Sequence, residues 1–202
     1  MNQIFGLKIK MAKKISDQNK NQKKASAQNP MREIRVQKLT LNIGTGKDQV
    51  ALEKAQKLLN TISGVTSVRT VTQKRIAAWG LRPGLPIGVK VTLRKAKALE
   101  LIPKLIYAKD NKLADNYFDD NGNVSFGIKE YIDIKDARYD PEIGSMGLQC
   151  SITLERAGSR IKSRKLLRRV VPIHHRVSKA DAMDFLKEKF GAIYAAAEED
   201  EE

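Results

Sequence analysis

The stretch IRVQKLTLNIGTGKDQVALEKAQKLLNTISG, residues 34–64, decides the fold. Ile34, Val36, Leu39, Leu41 and Ile43 recur in near-alternation and Gly44 ends the run, which predicts a strand. From Lys47 to Ile62 the apolar period lengthens from two to about 3.6. Val50, Ala51, Ala55, Leu58, Leu59 and Ile62 then share one helical face, and Gly64 supplies the stop. A half-buried strand followed at once by an amphipathic helix needs a layered domain in which the helix covers the sheet.

Outward from this unit the same signals recur. Thr66 to Thr72 is β-branched and reads as a strand, Gln73 to Leu85 holds Gly80, Pro83 and Gly84 and reads as a loop, and Ile87 to Arg94 alternates again. Ala96 to Ala108 reads as a helix burying Ala98, Leu99, Ile102, Leu105 and Ile106, with Pro103 expected to kink or limit it. Asp119 to Asn123 forms a turn between Tyr117-Phe118 and a strand over Val124 to Ile128, with Asn121-Gly122 as the hairpin signal. Tyr131 to Ile134 reads as a short strand, Tyr139 to Gly147 as a loop and Leu148 to Glu155 as the last strand. Ser178, with Asp181 at the third helical position, opens a helix that buries Met183, Phe185, Leu186 and Phe190 and closes at Gly191. This order predicts an α+β single domain: a mostly antiparallel sheet with helices packed on one face, the other face free for a partner, plus a basic arm and flexible termini.

Three regions follow: a disordered basic extension over 1–29, a folded domain over 30–191, and an acidic tail over 192–202. Met11 to Asn29 is rich in Lys, Gln, Asn and Ala and lacks large apolar residues beyond Ile15, a composition that cannot build a core. Met11, followed by Ala-Lys-Lys, is read as the initiator.

Charge narrows the function. Lys and Arg number 38 against 23 Asp and Glu, a net charge of +15. Glu198, Glu199, Asp200, Glu201 and Glu202 carry −5, leaving +20 on the rest. Such a field attracts polyanions. It is most concentrated from Arg156 to Arg176, where Arg156, Arg160, Lys162, Arg164, Lys165, Arg168, Arg169 and Arg176 meet no acid. Leu166, Leu167, Val170, Val171 and Ile173 are interleaved, so this is more than a solvated charge run. Arginine gives bidentate phosphate contacts and stacks on bases. The 73–85 loop adds Lys74, Arg75 and Arg82, with Trp79 as a stacking group or a loop anchor. Aromatics make up only 5% of the chain, so backbone and shape reading is favoured over base stacking across the sheet.

Other chemistries find little footing. Cys150 is the one cysteine, which excludes an intrachain disulfide and a cysteine-based zinc site, fits a reducing compartment, and reads as a small core residue. No apolar run reaches transmembrane or signal-peptide length, so neither a membrane nor secretion is expected. Leu41 to Gly46 ends a strand and opens a helix where a dinucleotide fingerprint would sit, but position 49 is Gln and no Walker spacing exists. A nucleotide-dependent enzyme using Gly44-Thr45-Gly46 is the alternative to a structural tight turn. A third reading has Asn42, polar at a strand end, bonding a nucleic-acid edge. The run Asp119-Asp120-Asn121-Gly122 fails as a calcium loop, since its Gly would put Tyr117 at the first ligand position. His174 and His175 are adjacent with no Cys or carboxylate beside them, so they suit phosphate contact or plain exposure. With no catalytic constellation, cofactor or metal indicated, the chain reads as a non-enzyme.

Several segments, in order, resemble a known family. They are Asn29-Pro30-Met31-Arg32, LTLNIGTG (39–46), LRPGLPIGVKVTLR (81–94), DNGNVSFGIKEYID (120–133), YDPEIGSMGL (139–148) and HRVSKADAMDFLKEKFG (175–191). They resemble the large-subunit ribosomal protein that binds 5S ribosomal RNA, fifth in bacterial numbering and eleventh in older eukaryotic naming. The basic arm and the Asn-Pro-Met-Arg start are similar to the archaeal and eukaryotic branch. The resemblance implies a cytoplasmic, ribosome-bound structural component in the central protuberance. It implies as partners 5S rRNA, large-subunit rRNA, P-site tRNA, neighbouring large-subunit proteins and a small-subunit head protein.

The sheet side is then expected to grip RNA, with Asn42 and Thr92 at positions matching RNA-contacting polar residues. The rRNA-binding set reads Arg32, Asn42, Thr92, Arg94, Arg160, Lys162, Arg164, Lys165, Arg168, Arg169 and Arg176. The loop with Lys74, Arg75, Trp79 and Arg82 is expected to approach the tRNA elbow. Gly64-Val65 stands where members often have Gly-Gln, so a Gln contact is lost or supplied otherwise.

Overall fold

The computed structural model describes residues 29–195. The extension read over 1–29 (apart from Asn29), the Met11 start and the tail from Ala196 onward lie outside the described residues. The described residues divide into two compact units, one of residues 36–155 with 177–195 and one of residues 29–35 with 156–176.

The first unit carries the sheet, in the order β2-β3-β1-β6-β5. Its strands are β1 (Ile34–Gly44), β2 (Val68–Val71), β3 (Pro86–Leu93), β5 (Asn123–Ile128) and β6 (Leu148–Arg156); the first two residues of β1 and the last of β6 are assigned to the other unit. β1 pairs antiparallel with β3 in the register Leu39↔Leu93, Leu41↔Val91 and Ile43↔Val89. β2 pairs antiparallel with β3, and β5 with β6. The period of two puts every second residue on one face. There Leu39, Leu41, Ile43, Val89, Val91, Leu93, Val124, Phe126, Ile128, Cys150, Ile152 and Leu154 are all buried. Three helices cover that face: α1 (Gln49–Ser63), α2 (Ala96–Tyr107) and α3 (Lys179–Phe190). The α+β class, the antiparallel pairing and the one-sided helix layer stand as read from the sequence.

Caps fix where the helices begin and end. Asp48 accepts from the N–H groups of Val50 at 2.9 Å and Ala51 at 3.3 Å, so α1 starts at Gln49 and not at Lys47. Gly64 closes it at φ 58. Ser178 and Asp181 form a reciprocal capping box on α3, and Gly191 ends it at φ 68.

Several expected details change. On α1 Val50 is 63% exposed while Leu52 is fully buried. On α2 Leu99 is exposed while Leu101 is buried. Each pair is two residues apart, about 200° around a helix, so only one member can face the sheet. Met183 and Phe190 are half-buried on α3, where Ala182 joins Phe185 and Leu186 in the core. α2 runs through Pro103 without ending.

Tyr131–Asp133 is a 3-10 turn and not a strand. The Ile134 N–H donates to the Tyr131 carbonyl at 3.2 Å, and both side chains are buried. Residues three apart eclipse in such a turn, which lets both face the core. The Tyr131 hydroxyl accepts from the Asp140 N–H at 2.9 Å. Two short strands unforeseen from the sequence, β4 (Lys112–Ala114) and β7 (Ile193–Ala195), pair in parallel as a separate ribbon.

The second unit joins residues 29–35 and the basic arm. Asn29 caps a 3-10 turn over Pro30–Arg32, and Met31 Cε lies 3.3 Å from where a Cβ on Gly158 would stand. Further 3-10 turns span Ser159–Lys162 and Ile173–His175. Ser159 and Val171 are buried. His175 Nε2 lies 2.8 Å from the Ala157 carbonyl oxygen and Arg156 donates to the His174 carbonyl at 3.5 Å, so the arm has a backbone-anchored form of its own.

Candidate nucleic-acid interface

Where the core face of the sheet is aliphatic, the open face is built of hydroxyls and amides. Alternation puts Lys38, Thr40 and Asn42 of β1 there, with Lys90 and Thr92 of β3, Gln149, Ser151 and Thr153 of β6, and Asn123 and Ser125 of β5. Cross-strand partners confirm the placement: Thr40↔Thr92, Asn42↔Lys90, Asn123↔Thr153 and Ser125↔Ser151. Asn42 Nδ2 donates to Gln149 Oε1 at 3.2 Å, and the Ser125 and Ser151 hydroxyls are 2.9 Å apart. That bond uses the Asn42 amide as donor and the Gln149 oxygen as acceptor, so Asn42 Oδ1 keeps acceptor capacity and the Gln149 amide keeps donor capacity. Arg94 is exposed one residue past the end of β3. Sequence reasoning singled out Asn42 and Thr92 but missed Gln149. The alternation of LQCSITLE would have put Gln149 on the polar face, but nothing in it names Asn42 as a neighbour.

The 72–85 segment is a closed hairpin-like loop rather than an irregular one. Thr72 N–H donates to the Leu85 carbonyl at 2.9 Å, and Ile76 and Leu81 exchange both backbone bonds at 3.1 and 3.0 Å. Lys74, Arg75, Trp79 and Arg82 are all exposed. Trp79 is 65% exposed, and Leu81, at 7%, is the residue that anchors the loop. The anchor reading of Trp79 therefore falls. Lys47 Nζ lies 2.5 Å from where a Cβ on Gly80 would stand, which adds a cation to this loop that its local sequence does not reveal.

In the arm unit, Arg32 is gathered with Arg160, Lys162, Arg164, Lys165, Arg168, Arg169 and Arg176, all of them exposed. Arg164 Nε donates to the Leu167 carbonyl at 2.9 Å and Arg176 Nε to the Val171 carbonyl at 3.1 Å, so these two guanidiniums brace the backbone as well as presenting charge.

The nucleotide turn does not survive. Thr45 and Gly46 spend their N–H groups on the Ile87 carbonyl at 3.0 and 3.1 Å. The Asp48 carboxylate occupies the start of α1, where a phosphate would have to sit. Cys150 is buried, and burial pushes its thiol far above the ordinary range, opposite to what a nucleophile needs. Among the described residues no His, Cys, Asp or Glu cluster suits a metal, and no helix is long and apolar enough to cross a membrane.

Comparison with known proteins bears on both units. Residues 29–82 match the family described as Ribosomal protein L5, and residues 86–185 match the model of that ribosomal family's C-terminus. The large ribosomal subunit protein uL5 of Sulfurisphaera tokodaii is 47% identical over 163 residues, covering 80% of this chain and 92% of the relative. Its counterpart in Nanoarchaeum equitans is 44% identical over 165 residues, covering 81% and 97%. That of Methanococcus vannielii is 40% identical over 166 residues, covering 81% and 92%.

Proposed function

This chain belongs to the ribosomal protein L5 family of the large ribosomal subunit, as a structural component and not an enzyme, and from that membership we propose that it binds 5S rRNA, helps form the central protuberance, and contacts P-site tRNA and the small-subunit head. The observation that carries the RNA-binding reading is the division of labour on the surface. One unit presents a dense cluster of exposed cations, and the other a sheet face of fixed, mostly neutral hydrogen-bonding groups.

Phosphate neutralisation supplies affinity without reading sequence, whereas amides and hydroxyls at fixed spacing set register and orientation. Arg32, Arg160, Lys162, Arg164, Lys165, Arg168, Arg169 and Arg176 take the first role. Asn42 and Thr92, with Gln149 orienting Asn42 and Arg94 at the strand end, take the second. Hydroxyl and amide groups suit the ribose 2′-hydroxyls and base edges of RNA. Lys74, Arg75, Arg82 and the exposed Trp79 project from a braced loop, a form suited to the backbone of tRNA. The partition into an extension at 1–29, an RNA-binding domain at 30–191 and an acidic tail at 192–202 belongs to the same reading, as does the cytoplasm as the place of assembly.

The test is binding of the purified chain to 5S rRNA and to a scrambled RNA of equal length across a salt series. Preference for 5S rRNA, with a steep salt dependence for both, is the expected result. Asn42→Ala should cut the preference more than the scrambled-RNA affinity. Equal loss for both RNAs would reduce Asn42 to a structural residue, and no preference in the unsubstituted chain would remove the 5S reading.

A further inference from the structure

The cations of the arm explain attraction to phosphate but not its aliphatic residues. Leu166 and Leu167 are each 78% exposed, Val170 77% and Ile173 83%. Exposed aliphatic patches of this kind mark contact surfaces. They stand in a segment, Arg156 to Arg176, that contains no acidic residue.

Local structure holds them outward. The Arg169 N–H donates to the Ile161 carbonyl at 3.2 Å and closes a loop. Inside it the Ser163 and Arg164 N–H groups both donate to the Arg160 carbonyl at 3.0 Å, and Arg164 Nε pins the Leu167 carbonyl at 2.9 Å. Leu167 sits at φ 50, in the left-handed region that residues with a Cβ avoid. An unfavourable backbone conformation that persists because hydrogen bonds impose it is typical of contact sites. The two leucines therefore sit on a braced loop, with Val170 and Ile173 following it.

A regular RNA helix offers such a surface little. Its major groove is too deep and narrow for side chains, and its minor groove is lined by hydroxyls. Where a strand leaves the helix, unstacked bases and sugar faces expose apolar area beside phosphates, and aliphatic side chains are known wedges at unstacked steps. Lys165, Arg168 and Arg169 are exposed and make no ion pair with another described residue, which suits them to those phosphates. We infer that Leu166, Leu167, Val170 and Ile173 form an aliphatic wedge that packs on unstacked nucleotides in a non-helical segment of rRNA, while Lys165, Arg168 and Arg169 hold the adjoining phosphates. This rests on the rRNA-binding reading and adds a salt-independent term, specific to irregular RNA, to the arm's affinity.

Leu167→Gly tests it cleanly, because glycine takes a positive φ without strain and leaves the loop intact. The full chain is titrated with large-subunit rRNA folded in magnesium and with a perfectly paired RNA duplex, each over a salt series. The expected result is binding to folded rRNA about tenfold weaker at every salt, from lost apolar burial, with an unchanged slope and unchanged duplex affinity. Ile173→Ser, outside the closed loop, should repeat the pattern. Undiminished rRNA binding by both variants overturns the wedge alone, as does an equal loss on the duplex. A photoreactive residue at 173 that captures a protein rather than rRNA in assembled large subunits also overturns it. Failure of the unsubstituted chain to bind folded rRNA overturns the RNA-binding reading with it.

Discussion

Removing three charges from the arm gives a prediction whose size follows from the structure. Lys165, Arg168 and Arg169 are exposed, and their side chains make no hydrogen bond or ion pair with other described residues. Replacing all three by Gln therefore removes charge without removing an internal contact, unlike replacement of Arg164 or Arg176, which brace carbonyls. If each cation neutralises one phosphate, it contributes about 0.7 to 0.9 to the slope of log affinity against log salt. The triple variant should then be shallower by roughly 2 to 3, and its affinity at about 0.1 M salt lower by two to three orders of magnitude. The two curves should converge at about 1 M salt, where counterion release no longer drives binding. The assay is a filter-binding or anisotropy titration on 5S and large-subunit rRNA at four or more salt concentrations, with thermal melts as a control for folding. Parallel curves of equal slope would refute the assignment, because the arm would then be solvated surface and the RNA held elsewhere.

Other outcomes follow from the packed unit. Burial raises the Tyr194 phenol to about 12, and its hydroxyl donates to the Met183 carbonyl. A phenol with a raised folded-state pKa contributes stability that is whole below its unfolded value of about 10 and fades as pH climbs through the folded value. Urea midpoints of the native chain should therefore drop between those values, and Tyr194→Phe should flatten that drop; identical alkaline profiles would count against it. Cys150 should react with a thiol reagent only as fast as the domain opens, so a native-state burst of labelling would contradict its buried placement. Gly122 is at φ 73, and a Cβ there would stand 2.6 Å from Val177 Cγ1. Gly122→Ala should cost about 2 kcal/mol or more, read as a lowered melting temperature, from strain and overlap together. Adding Val177→Ala should recover only a minor part of the loss, because the Val177 Cβ that alanine keeps is itself 2.8 Å from the added Cβ and the strain at φ 73 remains.

Whatever local chemistry controls was legible in the chain before any fold was known. The alternation of β1, β3, β5 and β6, the caps at Gly64, Ser178, Asp181 and Gly191, and the acid-free cationic run from Arg156 to Arg176 are all written in neighbouring residues. Each of these signals acts within a few residues, so no partner from elsewhere in the chain is needed to read it. The choice between two competing helix faces came from packing instead. It took Leu52 over Val50 and Leu101 over Leu99, because helix periodicity leaves that rotation open until a sheet is present.

Packing also paired Asn42 with Gln149 across 107 residues, set Leu81 rather than Trp79 as the loop anchor, turned Tyr131 inward, and matched β4 with β7, each only three residues long. Strands that short carry no readable period, and the meeting of side chains distant in sequence depends on how the whole chain closes its loops, a long-range property that no local window contains.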